Sequence, residues 1–253
     1  MEKALQFSLI FDIYNIKIDR KVKMIKGFNQ YINEQYSNPQ EMIDLKYGNP
    51  QKWQKESMDA GSNLLNEVKK TDLWKIWTSS VPPDQNSEEV KKDLEGLVML
   101  GNSLTEEEKE FIADSEKDML DIFEKFLKLN GIDQIKKEDL EKITDELDPI
   151  TFILKYIFNY PRPLQLALAH NIPLYPQQPT NACSPAYPSG HSIDAFVIAG
   201  LLSKKYPQLS KDISSLAERM SKSRNQGGIH FSFDSEFGRK IAEGVLSLNI
   251  LSL

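Results

Sequence analysis

The sequence predicts an all-α protein, and three observations carry that prediction. Apolar residues recur at helical spacing along nearly the whole chain. Strand-like alternation flanked by paired turn signals is scarce. Helix-start signals recur, at Ser87-Glu88-Glu89, at Thr105 with Glu108, and at Asp148-Pro149.

Taken in order, the stretch from Pro39 to Trp77 has apolar residues at helical spacing. "VPPDQNSEEV" reads as a loop whose two prolines precede a Ser-Glu-Glu helix start. "LTEEEKEFIADSEKDMLDIFEKFLKLNG" reads as one long helix. Thr105 and Glu108 form its capping box, Phe111, Met119, Ile122, Phe123 and Phe126 its apolar stripe, and Gly131 its stop. After a charged stretch, Asp148 reads as an N-cap with Pro149 at the first helical position. The helix that follows must break or bend near Pro161 and Pro163. Residues 171–190 hold five prolines and read as the one long loop. Helices resume at His191, at Leu209 and after His230.

The chain has 253 residues, 40% hydrophobic and 27% charged, enough for a substantial core. We expect a single α-helical domain over 1–253. Its acidic N-terminal helices (1–145) pack on a motif-bearing half (146–253), with no repeats or low-complexity tracts. The formal net charge of −6 gives no electrostatic footprint for nucleic acid, and no Lys/Arg-rich amphipathic face reads as membrane-surface. The N-terminal stretch does not read as a signal peptide, because Asp12 breaks its apolar run and no small-residue cleavage site follows. "AFVIAGLL" (195–202) is far too short to span a bilayer. One cysteine, Cys183, permits no internal disulfide. The expectation is a soluble, cytoplasmic protein. The apolar "LSLNILSL" at the C-terminus is open to being core or a homo-oligomer interface.

Three pieces of the C-terminal hundred residues carry chemistry. In "KYIFNYPRP", Lys155 precedes Arg162 by seven residues, two helical turns, which would put both cations on one face. Two fixed cations suit an anion with several oxygens, and a guanidinium binds two of them at once. In "YPSGHS" (187–192), a loop ends and an apolar helix opens at His191. Backbone N–H groups at such a junction attract anions, Gly190 allows close approach, the Ser189 hydroxyl can donate, and His191 can pass a proton to a leaving group. In "SRNQGGIHFSFD" (223–234), Arg224 ends one helix, Gly227-Gly228 turns the chain, and His230 and Asp234 stand four apart at the start of the last helix. A carboxylate on one imidazole nitrogen leaves the other free to attack.

Singly, each piece has an ordinary reading: a solvated lysine and arginine, a turn with a histidine near an N-cap, a surface i, i+4 pair. Together they place three cations, a serine, a glycine, an aspartate and two of the chain's three histidines within eighty residues. That is the inventory for holding a tetrahedral oxyanion and transferring a phosphoryl group.

The pattern Lys-x6-Arg-Pro, Pro-Ser-Gly-His, Ser-Arg-x5-His-x3-Asp resembles the type 2 phosphatidic acid phosphatase (PAP2) superfamily. That superfamily includes soluble bacterial acid phosphatases, membrane lipid phosphatases and vanadium-dependent haloperoxidases. Lys155, Arg162, Pro163, Pro188, Ser189, Gly190, His191, Ser223, Arg224, His230 and Asp234 all match, over about 80 residues. The resemblance implies a helical bundle of the PAP2/haloperoxidase type with the motif helices converging on one pocket. His230 would attack phosphorus and form a phosphohistidine. Asp234 would orient His230, and His191 would protonate the leaving group and then activate water. Lys155, Arg162, Ser189, the Gly190 N–H and Arg224 would hold the phosphate or vanadate oxygens, with no metal ion called for.

Within the superfamily the same residues serve phosphatase and haloperoxidase alike. "PAYPSGH" and "GIHFSFD" are similar to the haloperoxidase versions. Ser192 stands where haloperoxidases usually have alanine, Ser184 where they more often carry an aromatic or a second histidine, and the length is close to that of the soluble phosphatases. The reading favours a metal-independent phosphatase acting on a small phosphomonoester, or on a lipid phosphate approached from the surface. The alternative is a vanadate-dependent haloperoxidase, with vanadate at His230, oxidising bromide or iodide with peroxide. Cys183 reads as a loop thiol and His170 as a helix-end residue. Glu218, Arg219, Lys222 and the Glu-rich segment 105–146 read as solvated helix faces.

Overall fold

The computed structural model describes residues 49–176 and 184–253, and these are helices and connecting turns without a strand. The expectations for the first 48 residues and for Cys183 fall outside the described residues. Helices α1 (Lys52–Ala60), α2 (Asn63–Lys69) and α3 (Asp72–Thr78) form over the described part of the stretch through Trp77 whose apolar residues recur at helical spacing. The breaks have local causes. Gly61 adopts φ +65°, and the Ser62 and Thr71 hydroxyls cap the backbone N–H groups of Leu65 and Leu73.

Ser87 caps α4 (Glu88–Asn102), as its sequence suggests, by accepting from the Val90 N–H. The single helix expected from Thr105 is two, α5 (Glu106–Lys117) and α6 (Met119–Leu129). The Thr105–Glu108 capping box forms, and Gly131, at φ +73°, ends the second helix. Between them Asp118 has extended backbone, and its carboxylate accepts from the N–H groups of Leu120 and Asp121. An aspartate that can cap competes with helix continuation, and here the cap prevails.

Helix α7 (Lys137–Phe158) corrects the expected start at Asp148: Pro149 lies inside it. The buried stripe of Leu140, Ile143, Leu147, Ile150 and Leu154 runs unbroken through the proline. Its burial outweighs the one backbone hydrogen bond that Pro149 cannot donate. The predicted break near Pro161 occurs: Asn159 closes α7 in the left-handed conformation, and α8 (Pro163–Ala169) restarts with proline at its first position.

Helix α9 (Gly190–Lys205) is buried on nearly all sides and forms the centre of the bundle. It packs most extensively on α10 (Ser210–Gln226) and α11 (Ser232–Ser247), with a one-turn 3-10 segment, Pro207–Leu209, ahead of α10. The core is a single cluster running from Leu64 to Val245, so the early helices share it with the motif-bearing ones. Leu246, Leu248, Ile250, Leu251 and Leu253 of the C-terminus pack partly buried against that cluster. No helix among the described residues is long and apolar enough to cross a membrane.

Close approach of α11 to the N-terminus of α9 sets the site. A Cβ on Gly238 would stand 2.8 Å from the Ser189 carbonyl oxygen and 2.9 Å from the Ser192 Cβ. Gly238→Ala is therefore expected to cost about 1–3 kcal/mol in denaturant unfolding. Gly96→Ala, where a Cβ meets nothing within 4 Å, should be neutral or gain about 0.5–1 kcal/mol. Equal effects at the two positions would contradict this packing. Burial, with Asp145 nearby, pushes the Asp148 carboxyl up to about 6. Its folded value then lies above its unfolded one, so its contribution is most favourable in acid and is lost as pH rises through about 6. Asp148→Asn should stabilise the fold at pH 8, by about 3 kcal/mol at most, and do little at pH 4.

Candidate active site

The motif residues converge where α7, the Ser184–Ser189 loop, α9 and the α10–α11 turn meet. The geometry departs from the sequence expectation at Lys155 and Arg162. Their spacing suggested one helix face, but α7 ends between them at Asn159. They meet around the loop instead. The Lys155 ammonium donates to the carbonyls of Pro185, Ala186 and Pro188 at 2.8, 3.2 and 2.6 Å, which uses all three of its protons. The Arg162 Nε donates to the Ser184 carbonyl at 2.9 Å, and Nη2 to the Ser184 hydroxyl at 3.3 Å. Its Nη1 donates to the Ile229 carbonyl at 2.9 Å and lies 2.8 Å from the His230 Nε2.

That last contact fixes the His230 tautomer. A guanidinium only donates, so Nε2 must accept, and the ring proton is on Nδ1. Nδ1 donates to Asp234 Oδ2 at 2.9 Å. The same oxygen accepts the Phe231 N–H at 2.9 Å. The structure corrects one detail: His230 precedes α11 and its N-cap Phe231, so the pair is a loop histidine and a first-turn aspartate rather than two helical neighbours. Burial drives His230 well below the usual imidazole range, and Arg162, Lys155 and Arg224 push the same way. It is a neutral imidazole with a lone pair on Nε2. Burial raises Asp234, against the Phe231 N–H, Lys155 and Arg162. Its Oδ1 is buried without a hydrogen-bond partner among the described residues.

Ser189 caps α9, and its own N–H donates to the Asp234 carbonyl at 3.1 Å. Gly190 opens the helix over Thr151 and Lys155; a Cβ there would stand 3.2 Å from the Thr151 methyl. His191 follows, half-buried, with a hydrogen bond to the Ser115 backbone that favours its charged form. Burial and Arg224 work against that form and hold His191 well below its usual range. Arg224, 3% exposed in the last turn of α10, forms an ion pair through Nη1 with Glu116 Oε2. The Arg224 Nε has no acceptor among the described residues. A buried guanidinium with an unpaired Nε–H fits a tetrahedral oxyanion.

The Glu-rich segment is not all solvated surface. Glu116 and Ser115 reach the site, Glu108 accepts from Gln226 at 3.0 Å, and Glu146 caps α2 through the Leu64 N–H at 2.8 Å. Asp93 on α4 accepts from both the Ser232 N–H and its hydroxyl at 2.8 and 2.7 Å, which ties α4 to the start of α11. One signal pointed to α5. Ser115 sits between Ile112 and Met119 on the buried stripe, a polar residue at a core position. His170 is a helix C-cap whose Nε2 donates to the Gln85 carbonyl at 2.9 Å, away from the site. Glu218, Arg219 and Lys222 are exposed as read. Among the described residues no three His, Cys, Asp or Glu side chains could hold a metal ion together.

Removing Glu116 leaves a buried charge unopposed. Glu116→Ala should lower stability by about 3 kcal/mol, and orthovanadate should restore more stability to the variant than it adds to the native protein. Thermal unfolding with and without the anion measures both effects. An unchanged midpoint in its absence would contradict the ion pair.

Residues 148–251 match the family model described as the PAP2 superfamily. A comparison with curated proteins finds no match. The matched stretch contains every motif residue from Lys155 to Asp234, and the helical fold agrees with it. The motif-bearing part of the chain, residues 148–251, belongs to the PAP2 superfamily.

Proposed function

We propose that the protein is a phosphatase that hydrolyses a small phosphomonoester through a phosphohistidine. The observation that carries this reading is the neutral, Asp234-oriented His230, whose Nε2 lone pair faces the Arg162 guanidinium. A phosphoryl oxygen is a better acceptor for Arg162 than an imidazole nitrogen, because it is charged. Binding of the anion would therefore draw Arg162 off Nε2 and free the nucleophile.

In the proposed reaction Nε2 forms a bond to phosphorus as the phosphorus–oxygen bond to the leaving group breaks. His191 transfers its proton to that oxygen. A water then gives a proton to His191 and attacks phosphorus, which releases phosphate and restores neutral His230. Arg162, Arg224, the Ser189 hydroxyl and the Gly190 N–H would hold the equatorial oxygens. Lys155 would act mainly by its charge and by holding the 185–188 carbonyls in place. A bound phosphoryl dianion opposes the influence of Arg224 and raises His191, which lets it serve as the acid.

The same donors fit vanadate, for which His230 would supply the nitrogen ligand and Arg162, Arg224, Ser189 and Gly190 the hydrogen bonds. Vanadate would supply peroxide activation for halide oxidation.

The test is hydrolysis of p-nitrophenyl phosphate in EDTA, with and without orthovanadate. Turnover that vanadate abolishes, and that His230→Ala lowers at least about 1000-fold, is the expected result. No turnover, with bromide or iodide oxidation by the vanadate-loaded protein and peroxide, would replace this reading with the haloperoxidase one. A second prediction separates the histidines. His191→Ala should slow an alkyl phosphate about 100-fold or more and p-nitrophenyl phosphate far less, since only the poor leaving group needs the proton. In the native enzyme kcat should fall as pH rises through the His191 value in the complex.

A further inference from the structure

The Ser189 hydroxyl belongs to a chain of three buried hydroxyls. Ser189 and Ser192 are fully buried and Ser221 is 5% exposed. The Ser192 hydroxyl donates to Ser189 Oγ at 3.0 Å, and the Ser192 N–H donates to the same oxygen at 3.4 Å. Ser192 Oγ lies 2.8 Å from Ser221 Oγ on α10. Proton counting orients the chain. Ser192 has one hydroxyl proton and has given it to Ser189, so Ser221 is the donor in the contact between them. Ser189 Oγ has two lone pairs and both are occupied. What remains to it is its own O–H.

We propose that Ser192 and Ser221 are positioning residues that make the Ser189 hydroxyl a dedicated hydrogen-bond donor to the bound oxyanion. This rests on the phosphoryl-binding reading of the site. A serine with an open lone pair can accept as well as donate, and it divides its time between the two. A serine filled from behind offers only a donor, which is what an anion requires. Three elements hold the chain together: Ser189 caps α9, Ser192 occupies its first turn, and Ser221 comes from α10. α11 approaches so closely at Gly238 that a Cβ there would stand 2.9 Å from the Ser192 Cβ, which closes the chain from the side. An alanine at 192 would keep the helix and remove the directing proton.

A double-mutant cycle on the full chain, read by calorimetric binding of inorganic phosphate in EDTA, tests this. Ser189→Ala should weaken phosphate roughly 10- to 100-fold, as for a bond to a charged group, and Ser192→Ala or Ser221→Ala roughly 3- to 10-fold. The Ser189→Ala/Ser192→Ala double variant should bind no more weakly than Ser189→Ala alone, because Ser192 acts only through Ser189. Ser221→Thr, which keeps the hydroxyl, should retain native affinity. Should Ser192→Ala fail to fold, the cycle with Ser221→Ala makes the same comparison. Equal losses from Ser192→Ala, or from Ser221→Ala, with and without Ser189 would overturn the chain and leave the functional reading standing. A native protein that binds no phosphate would overturn both.

Discussion

Lys155, Arg162 and Arg224 are each buried, and a buried cation must be surrounded by oxygen. The rest of the site follows from how that requirement is met. The 184–188 loop turns its carbonyls inward to take the protons of Lys155 and Arg162. This fixes the path of the chain into Ser189 and Gly190 at the start of α9. Arg162 also takes the Ile229 carbonyl, which fixes the residue before His230. The cations therefore organise the backbone of the two loops that carry the histidines. The acceptors around Lys155 and Arg162 are neutral, carbonyls above all, so they leave these two charges unneutralised.

Charge balance explains the roles of the acids. Asp234 accepts the Nδ1 proton of His230 and so leaves the lone pair of the ring on Nε2. Glu116 forms an ion pair with Arg224. These two acids do different things. Asp234 holds an imidazole in one tautomer, and Glu116 neutralises a guanidinium whose Nε has no acceptor among the described residues. The early helices thus take part in the site. α5 supplies Glu116 and the Ser115 backbone, α4 holds the start of α11 through Asp93, and the loop after α3 receives the Tyr160 and Tyr187 hydroxyls at Pro83 and Ser80.

The helical class and the motif residues were legible in the sequence, because helix periodicity and spaced motif residues are local signals. The breaks at Gly61 and Asp118, and the continuity of α7 through Pro149, were not. Each is decided by a contest between a cap and a packed stripe, and only the packing partners settle it. Lys155 and Arg162 show the same limit: the spacing was right, but the shared helix face was not, and a loop brings the side chains together instead. Ser115 was readable as a polar residue in an apolar stripe. Glu116 was not, since nothing in a run of acids marks the one that meets an arginine over a hundred residues away. Ser221 is hidden in the same way, because its partner lies on another helix.

The central claim is that His230 Nε2 becomes bonded to phosphorus during turnover. The most direct measurement is acid-free quench of the protein turning over a 32P-labelled phosphomonoester, followed by assay of protein-bound label for stability in base and lability in acid. The account predicts a base-stable, acid-labile phosphoprotein with the label on His230, enriched in His191→Ala if water activation becomes slow, and absent in His230→Ala. Turnover without any labelled protein, or label that survives the loss of His230, would contradict it.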